Sequence, residues 1–117
     1  MAYTKKAQTF GRPGNQRRAL MRSLARSLVI EERISTTEAK AKALRPFIER
    51  MVTYAKKNTL ASRRMAKSRI GDDEAVKKLF DSIGPRYSER AGGYTRIVKR
   101  TLRGTNDARK LAYIAFV

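Results

Sequence analysis

The sequence predicts an α+β fold: about four helices packed on a small mixed three-stranded sheet, with a basic extended arm at the N-terminus. Three observations carry this prediction. Apolar residues recur at helical spacing through residues 15–57 and again through 73–83. Two β-rich runs, 94–102 and 110–117, flank the turn signal Gly104-Thr105-Asn106-Asp107. A length of 117 residues fits a single domain with one modest core. The expected organisation is an arm over residues 1–14 and one α+β domain over 15–117.

Each element has a local reason. Residues 1–14 carry Lys5, Lys6, Gly11, Arg12, Pro13 and Gly14 with no periodicity, as an extended arm would. Asn15 can cap a helix running to about Glu32. Along it Leu20, Leu24 and Leu28 form one stripe, and Arg18, Arg22 and Arg26 form another, roughly 200° around the axis. Arg33-Ile34-Ser35-Thr36 leans towards strand. Ser35 with Glu38 has capping-box spacing, and Thr37 is the alternative N-cap. The following helix, about 38–57, buries Ala41, Leu44, Ile48, Met51, Val52 and Ala55; Pro46 should bend it without ending it.

Thr59 can cap a short basic helix over 60–70 that stops at Gly71. Asp72-Asp73-Glu74 suits the positive start of a helix to about Ile83, halted by Gly84-Pro85. The two strands then pair as an antiparallel hairpin, and the segment near Ile34 supplies the third strand.

Charge dominates the functional reading. There are 28 Lys+Arg against 10 Asp+Glu, a formal net charge of +18. Self-repulsion at that charge favours a protein that is more stable bound to a polyanion than free. Cysteine and histidine are both absent, which removes disulfides, zinc modules and Ser-His or Cys-His nucleophiles. Asp72-Asp73-Glu74 is the only carboxylate cluster, and a helix start explains it without a magnesium ion. No phosphate loop of the nucleotide-binding type occurs. Neither an enzyme nor a cofactor, metal or small-molecule substrate is expected. No apolar run approaches the roughly 20 residues of a membrane span, and no signal-peptide pattern is seen. The acid-free first thirty residues share a trait with organellar transit peptides, but the apolar stripe from Leu20 reads as core.

The segment from Gly84 to Arg96 is the most informative. Arg86, Arg90 and Arg96 can each donate two parallel bonds to a phosphate. Gly92-Gly93 reads either as a plain turn or as a close backbone approach to phosphate. Tyr87 and Tyr94 have flat faces for exposed bases, and Tyr94 has core packing as its alternative. With the arm residues Lys5, Lys6 and Arg12, the first-helix residues Arg17, Arg18, Arg22 and Arg26, and the pair Arg63 and Arg64, these form the expected RNA-binding set.

Four motifs resemble one family. They are Arg90-Ala91-Gly92-Gly93-Tyr94-Thr95-Arg96-Ile97 after Gly84-Pro85-Arg86; Thr36-Thr37 with Ala39-Lys40-Ala41-Lys42 and Leu44-Arg45; Arg63-Arg64; and Ala112-Tyr113-Ile114. In this order and spacing the chain resembles the large-subunit ribosomal protein seventeen family of bacterial-type ribosomes. It departs from that pattern at Met1-Ala2-Tyr3, in having no histidine, in the Gly104–Asp107 turn, and at Ala115, where the family usually has an acid. The resemblance implies a structural part of the large subunit, binding large-subunit ribosomal RNA near the exit of the nascent-chain tunnel and touching neighbouring ribosomal proteins. The expected location is the cytoplasm, within the ribosome, ahead of an organellar ribosome. A general DNA-compacting protein of the nucleoid type is the alternative that shares the charge.

Overall fold

In a computed structural model, residues 14–103 and 110–117 are described. The elements run α1 (Gly14–Glu31), β1 (Arg33–Thr37), α2 (Glu38–Lys57), α3 (Leu60–Ile70), α4 (Asp73–Lys78), a π-helical turn (Leu79–Ile83), α5 (Gly84–Arg86), β2 (Thr95–Arg103) and β3 (Lys110–Phe116). The arm residues Lys5, Lys6 and Arg12 and the turn at Gly104–Asp107 lie outside the described residues. Gly14, expected in the arm, is the first residue of α1, so Asn15 lies inside that helix.

Caps set most boundaries. Thr37, extended at φ −78°, accepts from the Lys40 amide and starts α2. Ser35 is therefore not a cap; it sits in β1 and accepts from Arg100. α2 passes Pro46 without interruption and ends at Asn58, whose left-handed backbone aims its amide at the Tyr54 carbonyl. Thr59 and Ser62 satisfy each other's amides in a capping box, and Gly71, at φ 75°, closes α3. Asp72 accepts from the Ala75 amide and opens α4.

Gly84-Pro85 does not halt the helix as expected. The π turn leads directly into α5, and the helical chain ends only at Tyr87. The glycine answers a packing need: a Cβ there would lie 2.9 Å from the Ala55 Cβ and 3.0 Å from its backbone carbonyl. The proline is the second residue of α5, directly after the π turn.

The sheet has the order β1-β3-β2 and is wholly antiparallel, which corrects the mixed sheet expected from the sequence. β3 is central and runs against both neighbours; β1 and β2 share a direction but never pair. Ile34, Ile114 and Ile97 form one row facing the helices. There they meet the α2 stripe of Ala41, Leu44, Ile48, Met51, Val52 and Ala55, all buried as expected. Ala25, Leu28 and Val29 of α1, with Leu79, Phe80 and Ile83, close the same core. Each large buried side chain there contributes on the order of 1.5–3 kcal/mol by leaving water.

Candidate nucleic-acid interface

The first-helix arginines divide. Arg22 donates from Nη2 to the Ser68 carbonyl at 3.1 Å, in the last turn of α3, where carbonyls lack helical partners. Arg26 lies 3.4 Å from Asp72. Both therefore tie α1 to the corner between α3 and α4. Arg18 is exposed, and Arg17 is half-buried with its Nε lacking a partner among the described residues. On α3, Arg63 and Arg64 are exposed; the Arg63 guanidinium stands 5.0 Å from the Phe80 ring centre. With Leu60, Lys67, Asp73, Val76 and Lys77 they line an open groove of about 400 Å³.

The segment after α5 is held from α2. Lys56 donates to the Arg90 carbonyl and, at 2.9 Å, to the Tyr94 hydroxyl. Glu49 accepts from the Tyr94 amide at 3.1 Å, the Thr95 amide at 2.9 Å and the Thr95 hydroxyl at 2.8 Å. Between these two anchors Arg90 folds back to donate to the Gly92 carbonyl at 3.1 Å. Gly93 adopts φ 64°, and space beside both glycines is open. The result is an exposed loop of fixed shape, carrying Arg90 at one end and Arg96 at the other.

Tyr94 takes the core-packing alternative, while Tyr87 and Arg86 are placed differently from expectation. Tyr94 is only 3% exposed, and its ring centre packs 5.4 Å from that of Tyr87. Tyr87 is buried in turn, beside Phe116, and its hydroxyl donates to the Val117 backbone oxygen. Both rings belong to the core, so neither has a face open to a base. Arg86 makes a two-pronged pair with Glu32, at 2.6 and 3.1 Å, which engages its fork with a carboxylate of the chain instead of a phosphate. The Arg86 hydrogen bond, assisted by one from Lys78, holds the Glu32 carboxyl down at about 2. Glu32 itself has φ 65°, a left-handed backbone joining α1 to β1.

Arg18, Arg63, Arg64, Arg90 and Arg96 thus remain as exposed guanidinium groups with no carboxylate partner among the described residues. Glu49 and Lys56 were not singled out in the sequence. Their seven-residue spacing on one side of α2 was the available signal, but the loop they hold lies far along the chain.

The family model for ribosomal protein L17 matches residues 20–117. The chain belongs to the ribosomal protein L17 family. It is 55% identical over 117 residues to large ribosomal subunit protein bL17 of Hydrogenobaculum sp. (strain Y04AAS1), with 100% of this chain and 99% of that protein covered. Proteins of the same name from Fusobacterium nucleatum (46%) and Thermomicrobium roseum (47%) also align along the full 117 residues, with 100% and 99% of their lengths covered. The L17 resemblance carried by the loop, the start of α2, Arg63-Arg64 and Ala112-Tyr113-Ile114 is therefore correct. In this L17-family chain the most specific of those motifs, Arg90–Ile97, is the loop that Lys56 and Glu49 fix in place.

Among the described residues, no helix is long and apolar enough to cross a membrane.

Proposed function

We propose that this protein is a structural, non-catalytic constituent of the large ribosomal subunit. It binds large-subunit ribosomal RNA near the nascent-chain tunnel exit and touches neighbouring ribosomal proteins, in the cytoplasm. Residues 14–117 form the RNA-binding body, and an arm before them adds phosphate contacts through Lys5, Lys6 and Arg12. No cofactor, small-molecule substrate or membrane takes part.

The observation that carries this reading is the coincidence of full-length kinship with proteins named for the large subunit and a set of exposed, carboxylate-free arginines. Arg18, Arg63, Arg64, Arg90 and Arg96 neutralise phosphates, while Arg22, Arg26 and Arg86 chiefly hold the fold. The position at the tunnel exit rests on the family resemblance alone.

Two measurements test it. In a sucrose gradient at moderate salt the tagged protein should travel with the large subunit. With large-subunit RNA, log K should fall by roughly 0.7–0.9 per decade of salt for each phosphate neutralised. A salt-independent affinity, or equal affinity for duplex DNA in competition, would overturn the reading in favour of another mode or a nucleoid role.

A further inference from the structure

The helices cover one side of the sheet. On the other side, alternate residues of the three strands come together by register: Arg33, Ala115 and Arg96 form one row, and Ser35, Tyr113 and Val98 the next. Arg100 follows two residues along β2 and reaches back to donate to the Ser35 hydroxyl at 3.0 Å. The Arg33 guanidinium carbon lies over Tyr113, 4.0 Å from the ring centre. Arg33, Ser35, Arg96 and Arg100 are exposed, and Tyr113 and Val98 are half-buried.

Three arginines thus share one face of a sheet about 10 Å across, two strand spacings. None has a carboxylate partner among the described residues. Elsewhere two bracing arginines are met by acids, Arg86 by Glu32 and Arg26 by Asp72. On the sheet Arg33 has a ring face and Arg100 a hydroxyl, which orient these two groups without neutralising them. A guanidinium over a ring face still carries five N–H donors and its full charge for an anion. Gathering like charges without counter-charge costs stability unless an anion completes the site.

We propose that this outer face of the sheet is a second RNA surface, on which a single-stranded or looped segment lies across the strands. Its phosphates meet Arg33, Arg96 and Arg100, and a base or ribose rests against Tyr113 and Val98. The surface is continuous with the Arg90–Arg96 loop through Arg96, and it rests on the RNA-binding reading above.

The test uses the full chain and large-subunit RNA over a range of salt. The double variant Arg33→Gln/Arg100→Gln should lose roughly 1.4–1.8 from the salt slope and about tenfold in affinity near 0.15 M salt. Arg33→Lys/Arg100→Lys should return most of the slope, because the charges are restored. Ser35→Glu, at an exposed position on the same face, should weaken binding with the native arginines intact. If the wild type itself shows no salt slope, RNA binding as a whole fails. If the wild type is steep and both the glutamine variant and Ser35→Glu match it, only the sheet surface fails. A glutamine variant that keeps its RNA slope but drops out of reconstituted subunits would assign the face to an acidic protein neighbour and overturn the proposal.

Discussion

At the scale of single residues, a side chain's partner decides whether it holds the fold or meets a ligand. Arg86 and Arg90 sit four positions apart in one glycine-framed segment, and the sequence treats them alike. Only folding brings Glu32 against Arg86, across 54 positions of chain. The tyrosines were ambiguous for a similar reason: an aromatic beside arginines suits a base and a core equally, and burial decided for the core. The Glu32 pair gives a pH prediction. Its carboxyl is held at about 2 in the folded protein, below its ordinary value, so its stabilisation is present above about pH 4.5 and is lost as pH falls towards 2. Glu32→Gln should therefore cost about 1 kcal/mol at pH 7, after allowing for solvent screening at this partly exposed pair. Urea unfolding of the two proteins at pH 7, 4 and 2.5 should show the gap close steadily. A gap that stays constant over that range would remove Glu32 from the account.

At the scale of elements, periodic patterns were legible and close approaches were not. The range and buried stripe of α2 follow from apolar spacing and a threonine cap, both local. The end of the last helix was misread because glycine and proline are common stop signals, whereas here Gly84 allows contact with Ala55 on another helix. The sheet was expected as mixed because no local signal fixes which strand takes the centre. The polar side of α2 has the larger functional consequence, since Lys56 and Glu49 set the shape of the Arg90–Arg96 loop before any RNA arrives. A loop already held at both ends loses little conformational freedom on binding. Arg90→Gln/Arg96→Gln should therefore reduce incorporation into reconstituted large subunits several-fold more than Lys5→Gln/Lys6→Gln, although each pair removes two charges. Quantitative mass spectrometry of gradient-purified subunits measures this, and equal incorporation would show that pre-ordering of the loop contributes nothing.

At the scale of the whole molecule, the net charge of +18 is the property most legible in the sequence, and the fold explains how it is arranged. The carboxylates among the described residues that form ion pairs do so at element junctions: Glu32 with Arg86 and Lys78, Asp72 with Arg26, Asp73 with Lys67, and Glu38 with Lys42 and Lys99. The remaining cations crowd a body of 44 × 39 × 25 Å. Many neighbouring charges therefore lie within about 10 Å, the screening length at 0.1 M salt. Unlike charges at the junctions attract and like charges elsewhere repel, so added salt has opposing effects. With so large an excess of one sign, the repulsive part governs. Raising NaCl from about 10 mM to about 300 mM should then raise the unfolding temperature, the reverse of what a fold held mainly by surface ion pairs would do. RNA should act more strongly, because it neutralises and binds at once. A large-subunit RNA fragment at a hundred times its dissociation constant adds about 2.7 kcal/mol, or roughly 10 °C for a chain of this size. Calorimetric scans of the free protein at both salt concentrations, and with RNA at low salt, separate the two effects. An unfolding temperature that falls with salt would mean that the junction pairs outweigh the repulsion, and one unmoved by RNA would mean that RNA does not prefer the folded chain.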